Sequence, residues 1–132
     1  MGKSKKNKIP MKKTVLVIDD EQVTCEMLGA ILKEINFNVI TAGKGKEGIK
    51  KAKGEYLDVA IIDVKLPGIN GVETYKILQK AHPEMKGIMI TAFYEKKIIK
   101  KALDYGAITC LYKPFDVDEL ISLIKEIVSE KR

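Results

Sequence analysis

The sequence predicts a doubly wound α/β domain, in which five βα units build one parallel sheet of strand order 2-1-3-4-5 with helices on both faces. Three observations predict it. Short aliphatic and β-branched runs without polar alternation, TVLVI and VAII being the clearest, read as strands buried on both faces. Between these runs lie stretches whose apolar residues recur at helical spacing. The two kinds of segment alternate five times with short connections, which right-handed crossovers turn into a parallel sheet.

Taken in order, Thr14–Ile18 is the first strand and ends at Asp19-Asp20. Asp20 is placed to cap the following helix, where Val23, Met27, Leu28, Ile31, Leu32 and Ile35 form the expected apolar stripe and Asn36 the left-handed terminator. A second strand is expected at Asn38–Ala42, then a Lys-rich helix over 46–53 stopped by Gly54. The central strand, 58–63, delivers Asp63 just before Pro67-Gly68 breaks the chain. Gly71–Ala81 reads as a helix with Val72, Tyr75, Ile77 and Leu78 inward, ending before Pro83. Strand four, 87–92 (GIMITA), carries Thr91 to its end. A basic helix over 95–105 then sets Ile98, Ile99, Ala102 and Leu103 on one side and closes at Gly106. Strand five, 108–112, delivers Lys113 ahead of Pro114. The last helix opens at Asp116 with Glu119 three residues on, a capping-box spacing, and its stripe is Val117, Leu120, Ile121, Leu123, Ile124, Ile127 and Val128.

At 132 residues the chain has the length of one domain. No apolar run approaches the length of a membrane span, and no apolar h-region follows the basic N-terminus. Cys25 and Cys110 are far apart and form no CxxC, which reads as two reduced thiols in a cytoplasmic protein. Charge is uneven: residues 1–13 hold six lysines and no acid, leaving 18 basic residues against 18 acids in the rest. The net +6 therefore belongs to residues 1–13; the tail over 1–12, an extension or cloning remnant, reads as a solvated leader, and the domain proper covers 13–130. His82, beside Pro83, reads as a surface residue.

Ligand crevices of open α/β sheets lie at strand C-termini, at the switch point between strands one and three. Those ends carry Asp19, Asp20 and Asp63, so two acid clusters some forty residues apart converge. Carboxylates so close repel one another, and a hard divalent cation such as Mg²⁺, with Mn²⁺ as an alternative, neutralises them. Asp63 is then placed to attack phosphorus and form an acyl phosphate. Phosphoryl transfer also needs a cation and a hydrogen-bond donor, which Lys113 and Thr91 at neighbouring strand ends supply. Singly, each of these residues has a blander reading, as helix cap or solvated loop residue; the joint placement favours the site.

The set VLVIDDE, IIDVKLPGINGVE, ITA and YKPFDVDEL resembles the receiver domain of two-component response regulators, over about residues 12–130. The resemblance implies a flavodoxin-like receiver fold and a signalling phosphoacceptor, not an enzyme in the turnover sense. It implies Asp63 as the phosphorylated aspartate and a Mg²⁺ site formed by Asp20, Asp63 and the backbone carbonyl of Lys65, with Asp19 in support. It makes Thr91 the switch hydroxyl, Lys113 the phosphate-pairing cation and Lys113–Pro114 a cis peptide.

The family usually has an aromatic switch residue three positions before the Lys, where this chain has Cys110; Tyr112 is aromatic but one residue before Lys113. Lys65 and Phe93 occupy positions that tune acyl-phosphate hydrolysis in this family, and a long cationic stem and a ring predict a long-lived phosphoryl state. The family's output face joins the fourth helix, fifth strand and fifth helix, where Tyr94, Lys97, Lys101, Asp104 and Tyr105 are expected to be exposed.

The expected donor is a sensor histidine kinase or a histidine phosphotransfer protein. Only four residues follow Val128, so the output is expected from another protein or from a missing domain of a longer, DNA-binding regulator, with no direct DNA contact by this chain. A monomer or a phosphorylation-dependent dimer is expected.

Three rivals remain on the sequence. An aspartyl phosphatase of the haloacid-dehalogenase type would need DxD at the end of strand one, whereas the acids here are adjacent. A flavin or nucleotide binder would need a phosphate-cradling Gly-rich loop where this chain has Asp-Asp-Glu. A phosphate-independent adaptor would leave the residue set unused.

Overall fold

A computed structural model describes residues 12–130, so the basic tail falls almost wholly outside the described residues. Ten elements alternate: β1 (Thr14–Ile18), α1 (Gln22–Glu34), β2 (Asn38–Ala42), α2 (Gly45–Ala52), β3 (Val59–Asp63), α3 (Gly71–Ala81), β4 (Lys86–Thr91), α4 (Lys96–Asp104), β5 (Thr109–Tyr112) and α5 (Val117–Glu130). All strand pairs are parallel and the sheet order is β2-β1-β3-β4-β5, the doubly wound arrangement expected.

Strand alternation divides the core into two layers. Leu16, Ile18, Ala60, Ile62 and Met89 face Val72, Tyr75 and Leu78 of α3 and Ala102 of α4. Val15, Val17, Ile61, Ile88 and Ile90 face Leu28 and Leu32 of α1 and Leu120, Ile124 and Ile127 of α5. β1, β3 and most of β4 are buried throughout, because a parallel sheet covered on both faces leaves no wet side.

Expected boundaries shift by one residue at α2, β3, β4, α4 and β5, the ordinary fraying at element ends: Asp58 and Ile108 still bond to neighbouring strands just outside β3 and β5. Asn36 takes the left-handed conformation after α1, at φ 77°. The stripe of α1 is rotated from expectation: Cys25, Leu28, Gly29 and Leu32 are buried, whereas Val23 is 75% exposed and Met27 also lies outward. Ile77 and Leu103 are likewise exposed. Tyr105 packs partly into the core beneath the Lys76 ammonium instead of standing on the surface. At α5, Asp116 accepts the Glu119 N–H at 3.2 Å, which is one half of the capping box.

Candidate functional site

Register brings the site together. Ile18 pairs with Ile62, so Asp19 and Asp63 leave adjacent strands at the same level. Thr91 pairs with Tyr112, and the Lys113 N–H donates to the Thr91 carbonyl at 2.7 Å, so Lys113 starts at the same rim. Gly71 lets α3 begin against β3: a Cβ there would lie 1.9 Å from the Asp63 carbonyl oxygen.

Carboxylate oxygens of Asp19, Asp20 and Asp63 lie within 4.8 Å of one another. Asp19 and Asp63 are buried and Asp20 is exposed. Lys113 Nζ stands 2.8 Å from Asp19 Oδ2, 3.0 Å from Asp63 Oδ2 and 2.7 Å from Glu21 Oε1. Burial raises the Asp63 carboxyl above its ordinary range, and the Asp19 charge adds to this against the opposing bonds from the Lys65 N–H and Lys113. For Lys113, burial disfavours the charge, but hydrogen bonds to Asp19, Glu21 and Asp63 outweigh it and hold the ammonium above its usual value. The ammonium bridges a cluster of acids that it only partly neutralises.

Asp20 does not cap α1. Asp19 Oδ1 accepts the Glu21 N–H at 2.8 Å instead, because the chain turns one residue before the helix and aims the Asp20 side chain outward. Glu21, which sequence reasoning singled out only as part of an acidic run, is the third carboxylate on Lys113; its adjacency to Asp19-Asp20 was the available signal.

Thr91 is fully buried, and its hydroxyl donates to the Phe93 carbonyl at 3.0 Å and accepts the Phe93 N–H at 3.2 Å. The Lys65 N–H donates to Asp63 Oδ1 at 2.9 Å, and the Lys65 ammonium pairs with Glu95 at 2.9 Å while standing 6.0 Å from the Phe93 ring centre. Cys110 is half-buried on the same sheet face as Met89, and its thiol is pushed up by burial and then by the Asp63 charge. Tyr112, on that face but exposed, meets Tyr94 with ring centres 5.9 Å apart, a pair the sequence did not announce. Tyr94, Lys97, Lys101 and Asp104 are exposed as expected. The Lys113–Pro114 peptide is cis. Both cysteines are free. No helix among the described residues is long and apolar enough to cross a membrane.

A family profile described as a response regulator receiver domain matches residues 15–125. The chain belongs to this family. Among its relatives, the response regulator ArlR of Staphylococcus aureus is 38% identical over 115 residues, which are 86% of this chain and 52% of that protein. The receiver spans about half or less of the length of the curated relatives it matches first. Among solved structures, a CheY-like receiver domain protein from Methanospirillum hungatei JF-1 superposes with a TM-score of 0.86 at 30% identity, covering 90% of this chain and 95% of that one. A chain of the CheX-CheY-BeF3-Mg complex from Borrelia burgdorferi gives 0.79 at 28% identity, covering 88% of this chain and 89% of that one.

Proposed function

We propose that this receiver takes a phosphoryl group from a partner's phosphohistidine onto Asp63 and passes the change to the face formed by α4, β5 and α5. The observation that carries the reading is the meeting of Asp19, Asp20 and Asp63 within 4.8 Å, with Lys113 bonded to Asp63.

The donor set is all carboxylate oxygen, and three carboxylates meet there with one ammonium, Lys113, among them, so these residues fit a hard divalent cation. Asp19, Asp20, Asp63 and the Lys65 carbonyl would hold Mg²⁺, or Mn²⁺ in its place. Bound there, the ion would offset charge on the transferring group. An Asp63 oxygen attacks phosphorus, the P–N bond to the donor imidazole breaks, and the nitrogen keeps the electron pair. Lys113, already on Asp63, turns to a phosphoryl oxygen. Thr91 exchanges its two bonds to Phe93 for one to the phosphoryl group and so frees the segment leading into α4. With Cys110 where the family carries a ring, Thr91 turns without displacing one, while Tyr112 stays paired with Tyr94.

The stem of Lys65 and the ring of Phe93 favour a long-lived phosphoryl state. The receiver acts in the cytoplasm in this reading, and its partners are a sensor histidine kinase or histidine phosphotransfer protein and an output module either fused to the receiver or separate from it. Intact mass after incubation with acetyl phosphate tests the core of it. One phosphoryl group is expected on wild type only with Mg²⁺, and none on Asp63→Asn. No gain on folded wild type would overturn the reading and favour a phosphate-independent adaptor, and loss of the group within seconds in a Mg²⁺ chase would refute the long lifetime.

A further inference from the structure

We propose that Glu95 is a positioning residue that sets the lifetime of the phosphoryl group, by holding the Lys65 side chain across the edge of the Asp63 site. The inference rests on the phosphoacceptor reading and adds a residue outside the acid cluster, Thr91 and Lys113. Lys65 starts beside the acceptor, with its N–H on Asp63 Oδ1, and its ammonium ends 2.9 Å from Glu95 Oε1, in the loop that follows Thr91. The stem therefore runs from the loop after β3 to the loop after β4, at the rim where Asp63 ends its strand. Glu95 Oε1 is buried without an angularly good hydrogen bond, so the Lys65 charge is what compensates it. Glu95 opens α4 but gives its carboxylate to Lys65 and makes no side-chain cap. The Phe93 ring supports the same ammonium. Without Glu95 the stem has somewhere else to go, because a cleft of about 510 Å³ opens beside it, lined by Val64, Leu66, Ile98 and Lys101.

Hydrolysis needs a water oxygen to attack phosphorus. The P–O bond to Asp63 breaks, the carboxylate keeps the electron pair, and orthophosphate leaves with the water's protons or passes them to solvent. A stem fixed along the site hinders that approach, whereas a released one opens it.

The test is the decay of phosphorylated protein by intact mass, after loading with acetyl phosphate and Mg²⁺ and removal of the donor. For a pair this exposed, Glu95→Gln is expected to shorten the lifetime roughly twofold to fivefold. Lys65→Met is expected to shorten it as well, with the double variant no faster than Lys65→Met alone. The swapped pair Lys65→Glu with Glu95→Lys is expected to recover part of the wild-type lifetime. Raising salt to about 1 M, where screening acts within ~3 Å, is expected to speed decay in wild type and leave Glu95→Gln unmoved. A Glu95→Gln variant that takes the phosphoryl group and loses it at the wild-type rate would overturn the inference while leaving the phosphoacceptor reading intact. No mass gain in wild type would remove that reading first.

Discussion

Lys113, with its ammonium between Asp19 and Asp63 and against Glu21, is the counter-charge of the site. Lys113→Met leaves two buried carboxylates facing one another, and removing one partner of such a buried cluster costs roughly 3 kcal/mol. The urea midpoint of the metal-free variant is expected to fall accordingly, and added Mg²⁺ to recover part of the loss. Asp63 has the opposite sign. Its carboxyl is raised above 3.8 in the folded protein, by burial first, so the ionised form is worse off folded than unfolded. Its favourable share of stability is present in acid and lost as pH rises through the folded value. Asp63→Asn is therefore expected to melt a few degrees higher than wild type at pH 7 without Mg²⁺. Thermal scans should find that gain shrinking as the pH falls toward 4; a variant less stable at pH 7 would contradict the ordering of these effects.

The helices carry their own tests. α1 presents Leu28 to the core with no exposed surface, whereas Val23 stands in solvent. Leu28→Ala is expected to cost about 2–5 kcal/mol and Val23→Ala less than about 0.5, both read from chemical denaturation. At α3 the constraint is backbone. A Cβ at position 71 would meet the Asp63 carbonyl oxygen at 1.9 Å and its carbon at 2.7 Å, neither of which can rotate away. Gly71→Ala must shift the junction of β3 with α3, so a loss of about 1–3 kcal/mol is expected. The same shift displaces Asp63, and Mg²⁺ should stabilise this variant less than it stabilises wild type.

For the molecule as a whole, Mg²⁺ bound by the folded state and not by the unfolded chain stabilises it by mass action, about 1.4 kcal/mol at ten times its dissociation constant. Wild type is expected to melt several degrees higher with Mg²⁺ in that range, and Asp20→Ala, altering an exposed carboxylate, to lose most of that rise while keeping its metal-free melting point. Equal Mg²⁺ shifts in the two would take Asp20 out of the metal site. The sequence alone determined the five βα units, the strand order, the strand-end positions of Asp19, Asp63, Thr91 and Lys113, and the left-handed Asn36. All of these follow from apolar period, chain length and turn chemistry, which act over a few residues. Tertiary structure decided what those signals do not reach. Which side of α1 turns inward depends on how the helix is rotated onto the sheet, so Cys25 is buried where Val23 was expected. The partners of Lys113, the Tyr94–Tyr112 pair and the Lys65–Glu95 bridge depend on which loops the crossovers bring side by side. Hydrophobic period is written along one chain segment, whereas an ion pair between two loops exists only once the sheet register has fixed the distance between them.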